Sequence, residues 1–303
     1  MRQNRWYIYQ KERFPVLMYI PMILAFSFSA VSYSSLLRGG GINPWAVVVS
    51  FITSFTFFML LRIADEHKDY EEDCMYRPYR AVPRGLVKLK ELFRIGVALI
   101  IIQFMAALFL NPFLLPLLLV LWIYYACMTR EFFASEWLKH HLFVYMFSHM
   151  LIMPLLDMYA AACDFLPTMG YAFIPAMLWF VASSFFDGIV VELCRKMRAP
   201  QDEEEGVATY SSMWGRGRAA AVVLASMVLS TIATARATSL VGCAHISATV
   251  LAFVALLCAI PVIKYLRNPS SKNAAKLELM SGIWTIADYT CLGVLPLIYT
   301  RLN

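Results

Sequence analysis

Nine runs of roughly 18 or more mainly apolar residues, each long enough to cross a bilayer as a helix, follow one another along a chain of 303 residues. They lie near residues 15–37, 43–64, 91–110, 112–129, 142–162, 168–194, 217–235, 239–263 and 281–300. Inside lipid a backbone must satisfy its own hydrogen bonds, and in separate runs of this length only helices do so. The expected fold is therefore an all-α, multi-pass integral membrane protein. Composition agrees, with 60% hydrophobic and 15% charged residues, against about 45–50% and 25% in soluble domains. Runs three and four are parted only by Asn111-Pro112, a tight hairpin signal. No stretch reads as a domain boundary, so residues 1–303 are expected to form one transmembrane domain.

Orientation follows from the basic residues, which collect in the cytoplasmic connections of such chains. With a cytoplasmic N-terminus, the tail and the connections after runs 2, 4, 6 and 8, with their flanking helix ends, hold 4, 8, 2, 5 and 4 Lys and Arg. That is 23 of the 26. Only Arg38, Arg236 and Arg301 fall on the other side. The N-terminus and the long loops are expected in the cytoplasm. The net charge of +6 is this bias, and no nucleic-acid partner is expected from it.

Two inner connections are long and polar, residues 65–90 after run 2 and 195–218 after run 6. The first opens DEHKDYEED, six acids in nine residues. Asp65, Asp69 and Asp73 are spaced i, i+4, i+8 and form one stripe if the helix continues. Like charges so stacked repel by a few tenths of a kcal/mol per pair, and a cation removes that cost. Oxygen donors without His or Cys favour Mg2+, which commonly joins one or two carboxylates to substrate phosphates. Arg77, Arg80 and Arg84 follow in RPYRAVPRG, and guanidinium forks suit phosphate oxygens. Acids and arginines together point to a Mg2+-diphosphate site. In the second connection Glu192, Arg195 and Lys196 share a helical face, and Asp202, Glu203, Glu204 and Glu205 follow Pro200. A solvated charged face is the commoner meaning of one such loop. Two of them, four runs apart, weigh against it.

Asp65-Glu66-x-x-Asp69-x-x-x-Asp73 resembles the first signature of the UbiA superfamily of intramembrane prenyltransferases, Asn-Asp-x-x-Asp-x-x-x-Asp. Arg80-Ala-Val-Pro-Arg-Gly85 is similar to that family's Arg-Pro-Leu-Pro-Ser-Gly. Gly206-Val-Ala-Thr-Tyr-Ser resembles the glycine-led segment closing its second aspartate motif. The resemblance spans essentially the whole chain. It implies nine helices around a central cavity, capped by the two polar loops, with two Mg2+ ions gripping an isoprenyl diphosphate. The prenyl cation would pass to a lipophilic or aromatic acceptor. Position by position, the resemblance gives Glu66, Asp69 and Asp73 the first metal-binding role, with Asp65 where Asn is usual. Glu192 becomes the leading acid of the second motif, and Asp202 or Glu203 its later acids. Arg80, Arg195 and Lys196 become the diphosphate partners, with Lys68, Arg77 and Arg84 behind them. The chain departs from the pattern at Asp65, at Glu192 and at Ala199-Pro200, where the motif usually has acids.

Asp157, Asp187 and Asp288 fall inside or near the ends of apolar runs, where ionisable groups are costly and often functional. Asp187, more than a turn deeper than Glu192, is the candidate for shaping the cavity floor or taking a proton. Asp157 is expected near the outer surface, and Asp288 inside run 9 without a visible partner. His149 reads as a satisfied packing histidine. Three activities stay open at this point: prenyl transfer, cyclisation of the cation by its own double bonds on the same scaffold, and, remotely, transport. Transport favours acids at the bilayer midplane, whereas these cluster in loops.

Overall fold

The structure, a computed structural model, describes residues 4–302. Among the described residues nine helical segments are long and apolar enough to cross a membrane. Spans 1 to 9 are Val16–Leu37, Pro44–Lys68, Leu89–Leu110, Pro112–Thr129, Leu142–Met169, Tyr171–Arg195, Arg216–Ser239, Ala244–Arg267 and Ser271–Leu302. No strand occurs among these residues. Each span covers one of the nine apolar runs. Their starts have local causes. The Asn43 side chain accepts from the Trp45 N–H at 3.0 Å, ahead of Pro44, whose missing N–H costs nothing in the first turn. Asn111 does the same for Phe113 at 2.8 Å before Pro112, which makes the hairpin between spans 3 and 4. Span 9 begins at Ser271 rather than near 281, because Ser270 caps it and the polar segment SKNAAKLEL favours helix. A short helix, Arg5–Arg13, precedes span 1 and is set off from it by Phe14-Pro15.

The spans close into a ring. Span 2 packs on spans 3 and 5, span 6 on 7, 7 on 8 and 8 on 9, and span 9 returns to spans 1 and 6. Two large apolar cores fill it, with a third cluster, around Leu60, Ile63 and Leu92, between spans 2 and 3. One gathers Tyr33, Phe57, Phe165 and Phe180 from spans 1, 2, 5 and 6; the other gathers Met227, Tyr265 and Trp284 from spans 7, 8 and 9. Ser27, Ser29, Ser32, Ser34 and Ser35 of span 1 are buried, and small side chains let helices approach closely in lipid. One such approach joins spans 1 and 9. A π-helical turn at Thr290–Val294 carries Gly293 onto Ser29, where a Cβ would stand 2.7 Å from the Ser29 carbonyl oxygen and 2.8 Å from its Cβ. The Ser29 hydroxyl donates to the Tyr289 carbonyl at 2.5 Å.

The acids inside the ring have donors. Asp157 is fully buried rather than near the outer surface, and accepts from the Tyr289 hydroxyl at 2.7 Å. Asp288 does have partners: it accepts from Ser183 at 2.5 Å and Thr234 at 2.7 Å. Asp187 accepts from Ser230 at 2.9 Å and from the Trp284 indole at 2.8 Å. Together they tie spans 5, 6, 7 and 9. At the end of the ring away from the long loops, Asp164 takes Arg38 at 2.8 Å and the Ser34 hydroxyl at 2.8 Å.

Candidate active site at the loop end of the ring

The two long connections meet at one end of the ring. Span 2 runs as helix to Lys68, pauses at Asp69 and resumes over Tyr70–Tyr76. Helical hydrogen bonds cross the pause, from Asp69 N to Asp65 O at 2.9 Å and from Asp73 N to Asp69 O at 2.8 Å. Asp65, Asp69 and Asp73 therefore keep one stripe, as their spacing requires. From Arg77 the chain runs in turns through Pro78 and Pro83, past Arg80 and Arg84, until span 3 begins at Leu89. The second connection leans on the first. The Tyr79 hydroxyl donates to Glu204 at 2.9 Å, and Gly206, at φ +74°, lies against the Tyr76 ring, where a Cβ would collide. Both the positive φ and the close ring call for glycine there.

The acids of the first motif differ in surroundings. Asp73 is buried and accepts from Arg77 at 2.8 Å and from Arg80 at 2.8 and 3.1 Å. The Asp65 side chain is 43% exposed and meets Arg62 at 3.1 Å. Glu66 is buried and paired with Arg13 of the N-terminal helix. Asp69 stands on the stripe between Asp65 and Asp73, half-buried, and its carboxylate makes no hydrogen bond or ion pair among the described residues. Burial, with Asp65, Asp73 and Glu72 adding to it and Lys68 opposing, pushes its pKa above the usual aspartate range. A carboxylate buried among like charges is short of a cation.

The second motif brings cations to the same end. Glu192 accepts from Arg195 at 2.7 Å and from Lys196 at 2.7 Å, and Arg195 is near enough to Asp65 for their charges to act on each other. Burial opposes the charge on Lys196, but Glu192 and Tyr145 together hold the ammonium above the usual lysine pKa. Tyr145 of span 5 stands between the motifs. Lys68 Nζ donates to its hydroxyl at 2.9 Å, and Lys196 Nζ lies 6.0 Å from its ring centre. Lys68 is also paired with Glu131, which faces His149 Nε2 at 3.3 Å. Glu131, Phe132 and Phe133 are consecutive non-glycine residues at φ +50°, +51° and +58°. Left-handed backbone costs roughly 1–2 kcal/mol per such residue. The Glu131 pairs hold it, as do ring contacts of Phe132 with Tyr124 and His149. Strain of this kind gathers at functional sites.

The model of the UbiA prenyltransferase family matches residues 21–285. The chain belongs to the UbiA prenyltransferase family. It is thus a multi-pass membrane protein of the prenyl-transferring kind. Its fold is similar to the apo structure of a UbiA homologue from Aeropyrum pernix K1, with a TM-score of 0.67 and 16% identity over 93% of this chain and 98% of that one. It is also similar to a structure of digeranylgeranylglyceryl phosphate synthase, with a TM-score of 0.54 and 15% identity over 98% of this chain and 100% of that one. At these identities the likeness is one of fold. No curated protein matches the sequence.

Within this UbiA fold the expected residues divide. Asp65, Asp69, Asp73, Glu192, Arg80, Arg195, Lys196 and Lys68 gather at the loop end. Asp187 does not join them; it belongs to the hydrogen bonds inside the ring. Asp202 accepts from Ser271 at 2.9 Å, and Glu203 from Thr209 and Ser211 at 2.7 Å each. These bonds hold the second connection to span 9 and to itself. Arg84 is engaged by Glu12 at 2.7 Å and by the Tyr79 carbonyl at 2.8 Å, and Arg77 by Asp73 and Glu72. Glu131, Tyr145 and Arg13 belong to no motif, and sequence reasoning missed them. Polar residues at the facing ends of runs 4 and 5 were the only signal for the first two.

No three described His, Cys, Asp or Glu residues converge into a ready-made metal cage. Mg2+ does not require one. It keeps several waters and binds through one or two carboxylates plus substrate phosphates. Asp69 with Asp65, hard oxygen donors whose charge is uncompensated at Asp69, suits an ion held in that way.

Proposed function

We propose that this UbiA-family protein is a Mg2+-dependent intramembrane prenyltransferase, which ionises an isoprenyl diphosphate and passes the prenyl cation to a lipophilic or aromatic acceptor. The observation that carries the reading is Asp69, half-buried on an acidic stripe without a partner, one turn from Asp65, whose charge acts on Arg195 of the second motif. Asp69 with Asp65 would hold Mg2+, while Asp73 and Glu192, each matched by two cations, would set Arg77, Arg80, Arg195 and Lys196 in place around the diphosphate. Bound there, Mg2+ offsets the charge that builds on the departing diphosphate. Arg80, Arg195, Lys196 and Lys68 orient phosphate oxygens as charge-assisted donors. The bond between C1 of the prenyl chain and the diphosphate oxygen breaks, and its electron pair leaves with the diphosphate. A nucleophilic atom of the acceptor then bonds C1 and gives up its proton. Spans open to lipid receive the insoluble tail, and a cation formed away from water escapes quenching. The 23-to-3 distribution of basic residues supports a cytoplasmic position for this end.

The test uses purified protein in detergent with Mg2+ and ten-, fifteen- or twenty-carbon isoprenyl diphosphates, with and without a quinone precursor as acceptor. Released diphosphate is assayed and the organic extract analysed by gas chromatography–mass spectrometry. Prenylated acceptor that requires Mg2+ and is missing with Asp69→Ala supports the proposal. Cyclic terpene formed without acceptor would replace transfer by cyclisation on the same site. Turnover that persists in Asp69→Ala or in excess chelator would sink the metal reading.

A further inference from the structure

The helix Arg5–Arg13, which the sequence marks only as part of a basic tail, ends on the first acidic motif. Arg13 Nε is paired with Glu66 Oε1, and the two side chains are 11% and 1% exposed. Two more ion pairs fix the helix. Arg5 holds Glu91 of span 3 through both terminal nitrogens, at 3.1 and 2.7 Å, and Glu12 holds Arg84 at 2.7 Å. Tyr9 is buried in the cluster that contains Leu60, Ile63 and Leu92, and Phe14 stacks on Tyr19 and meets Phe55 edge-on. Tyr7 is exposed. Aromatic and basic residues on a short amphipathic helix at the end of a membrane bundle are the composition of an interfacial helix. This helix touches span 2, span 3 and the arginine run at once.

Glu66 lies about 100° round the helix from Asp65, off the stripe that Asp65, Asp69 and Asp73 share. Its charge is already matched by a guanidinium out of water. A metal there would have to displace Arg13 and leave a buried cation unpaired, which is strongly unfavourable. Asp69 on the stripe has the opposite character, half-buried and uncompensated. We infer that Glu66 is the docking point of the N-terminal helix and not a metal ligand, so that this interfacial helix is the strap positioning the first motif. The inference rests on the metal-dependent reading only for the role of the stripe; the strap itself stands apart from it.

The test is a charge exchange. Arg13→Glu, Glu66→Arg and the double exchange are purified in detergent and melted, with aggregation followed by size exclusion. Mn2+, standing for Mg2+, is titrated with inorganic diphosphate present and followed by electron paramagnetic resonance. Each single variant should melt below wild type, and the exchange should recover most of that loss, with Mn2+ affinity within about threefold of wild type. An exchange that recovers melting but loses Mn2+ affinity about tenfold or more makes Glu66 a ligand and overturns the inference. An exchange that melts no higher than the single variants removes the strap. Should the exchanged charges prevent folding, Arg13→Gln with Glu66→Gln is carried through the same two measurements with the same outcomes. Wild-type protein that binds no Mn2+ beside diphosphate defeats the proposed function, while the melting comparison still decides the strap.

Discussion

Replacing Gly293 by alanine should destabilise this protein, although alanine is the better helix former. In an unpacked helix the change gains about 0.8–1.0 kcal/mol. Here the new methyl group would stand 2.7 Å from the Ser29 carbonyl oxygen and 2.8 Å from its Cβ, where non-bonded carbons rest at about 3.5–4.0 Å. Span 1 must withdraw by roughly 1 Å to restore that spacing, and overpacking of this kind costs about 1–3 kcal/mol. Withdrawal also stretches the 2.5 Å bond from Ser29 to the Tyr289 carbonyl, a loss of about 1 kcal/mol. Set against the gain in helix propensity, the net loss is about 1–3 kcal/mol. Thermal melting in detergent, read by size exclusion, should show Gly293→Ala several degrees below wild type. The opposing propensity term makes the sign decisive. Melting at or above wild type would refute the contact between spans 1 and 9.

Asp69→Asn should remove the Mg2+-induced rise in melting temperature expected for wild type with diphosphate, and should leave the metal-free protein no less stable than wild type near neutral pH. The sign follows from the raised pKa: the folded protein holds the Asp69 proton more tightly than the unfolded chain, so this stability is present below the unfolded value and lost as pH rises through the folded one. Melting curves from the carboxylate range to neutral pH check it, since the variant should lose less stability over that rise than wild type does. Asp164→Ala leaves Arg38 without its buried partner, the pair being 0% and 15% exposed. It should cost about 3–5 kcal/mol while Mn2+ affinity at the distant loop end stays unchanged, which melting and metal titration read separately. Glu131→Gln weakens the hold on both Lys68 and the left-handed turn. Faster trypsin cleavage at Arg130 than in wild type is the expected result, with a stability loss of about 1–3 kcal/mol.

Much of the fold can be read from the sequence because lipid imposes a simple rule on backbone polar groups, and because Asn111-Pro112 and Asn43-Pro44 carry their own capping signals. Depth within a span is harder to read. Asp157 sits five residues from the end of an apolar run that closes near 162, which places it close to the surface. Span 5 continues to Met169, and the same residue lies well inside the bundle. The donors to Asp288 come from spans 6 and 7, so no local pattern announces them. At the site, the stripe of Asp65, Asp69 and Asp73 is legible since helix periodicity alone makes it. What each acid does with its charge is not. Arg13, far back in the chain, occupies Glu66, whereas Asp69, three residues on, has nothing. A motif records which side chains are present, and the partners that tertiary packing assigns to them decide which remain free to bind.

The contact of Ser29 and Tyr289 with Gly293 also bears on how such a protein is made. Among the described spans, span 1 is made first, and the helix that seals its serine-lined flank follows the other eight. Through most of translation the ring is an open trough, with Asp187 still lacking its Trp284 donor. A chain halted before Ser271 therefore shows lipid a line of hydroxyl and carboxyl groups, the kind of surface that membrane quality control can recognise. Arrival of the ninth helix hides that line, so synthesis of this helix and concealment of the polar interior are one event.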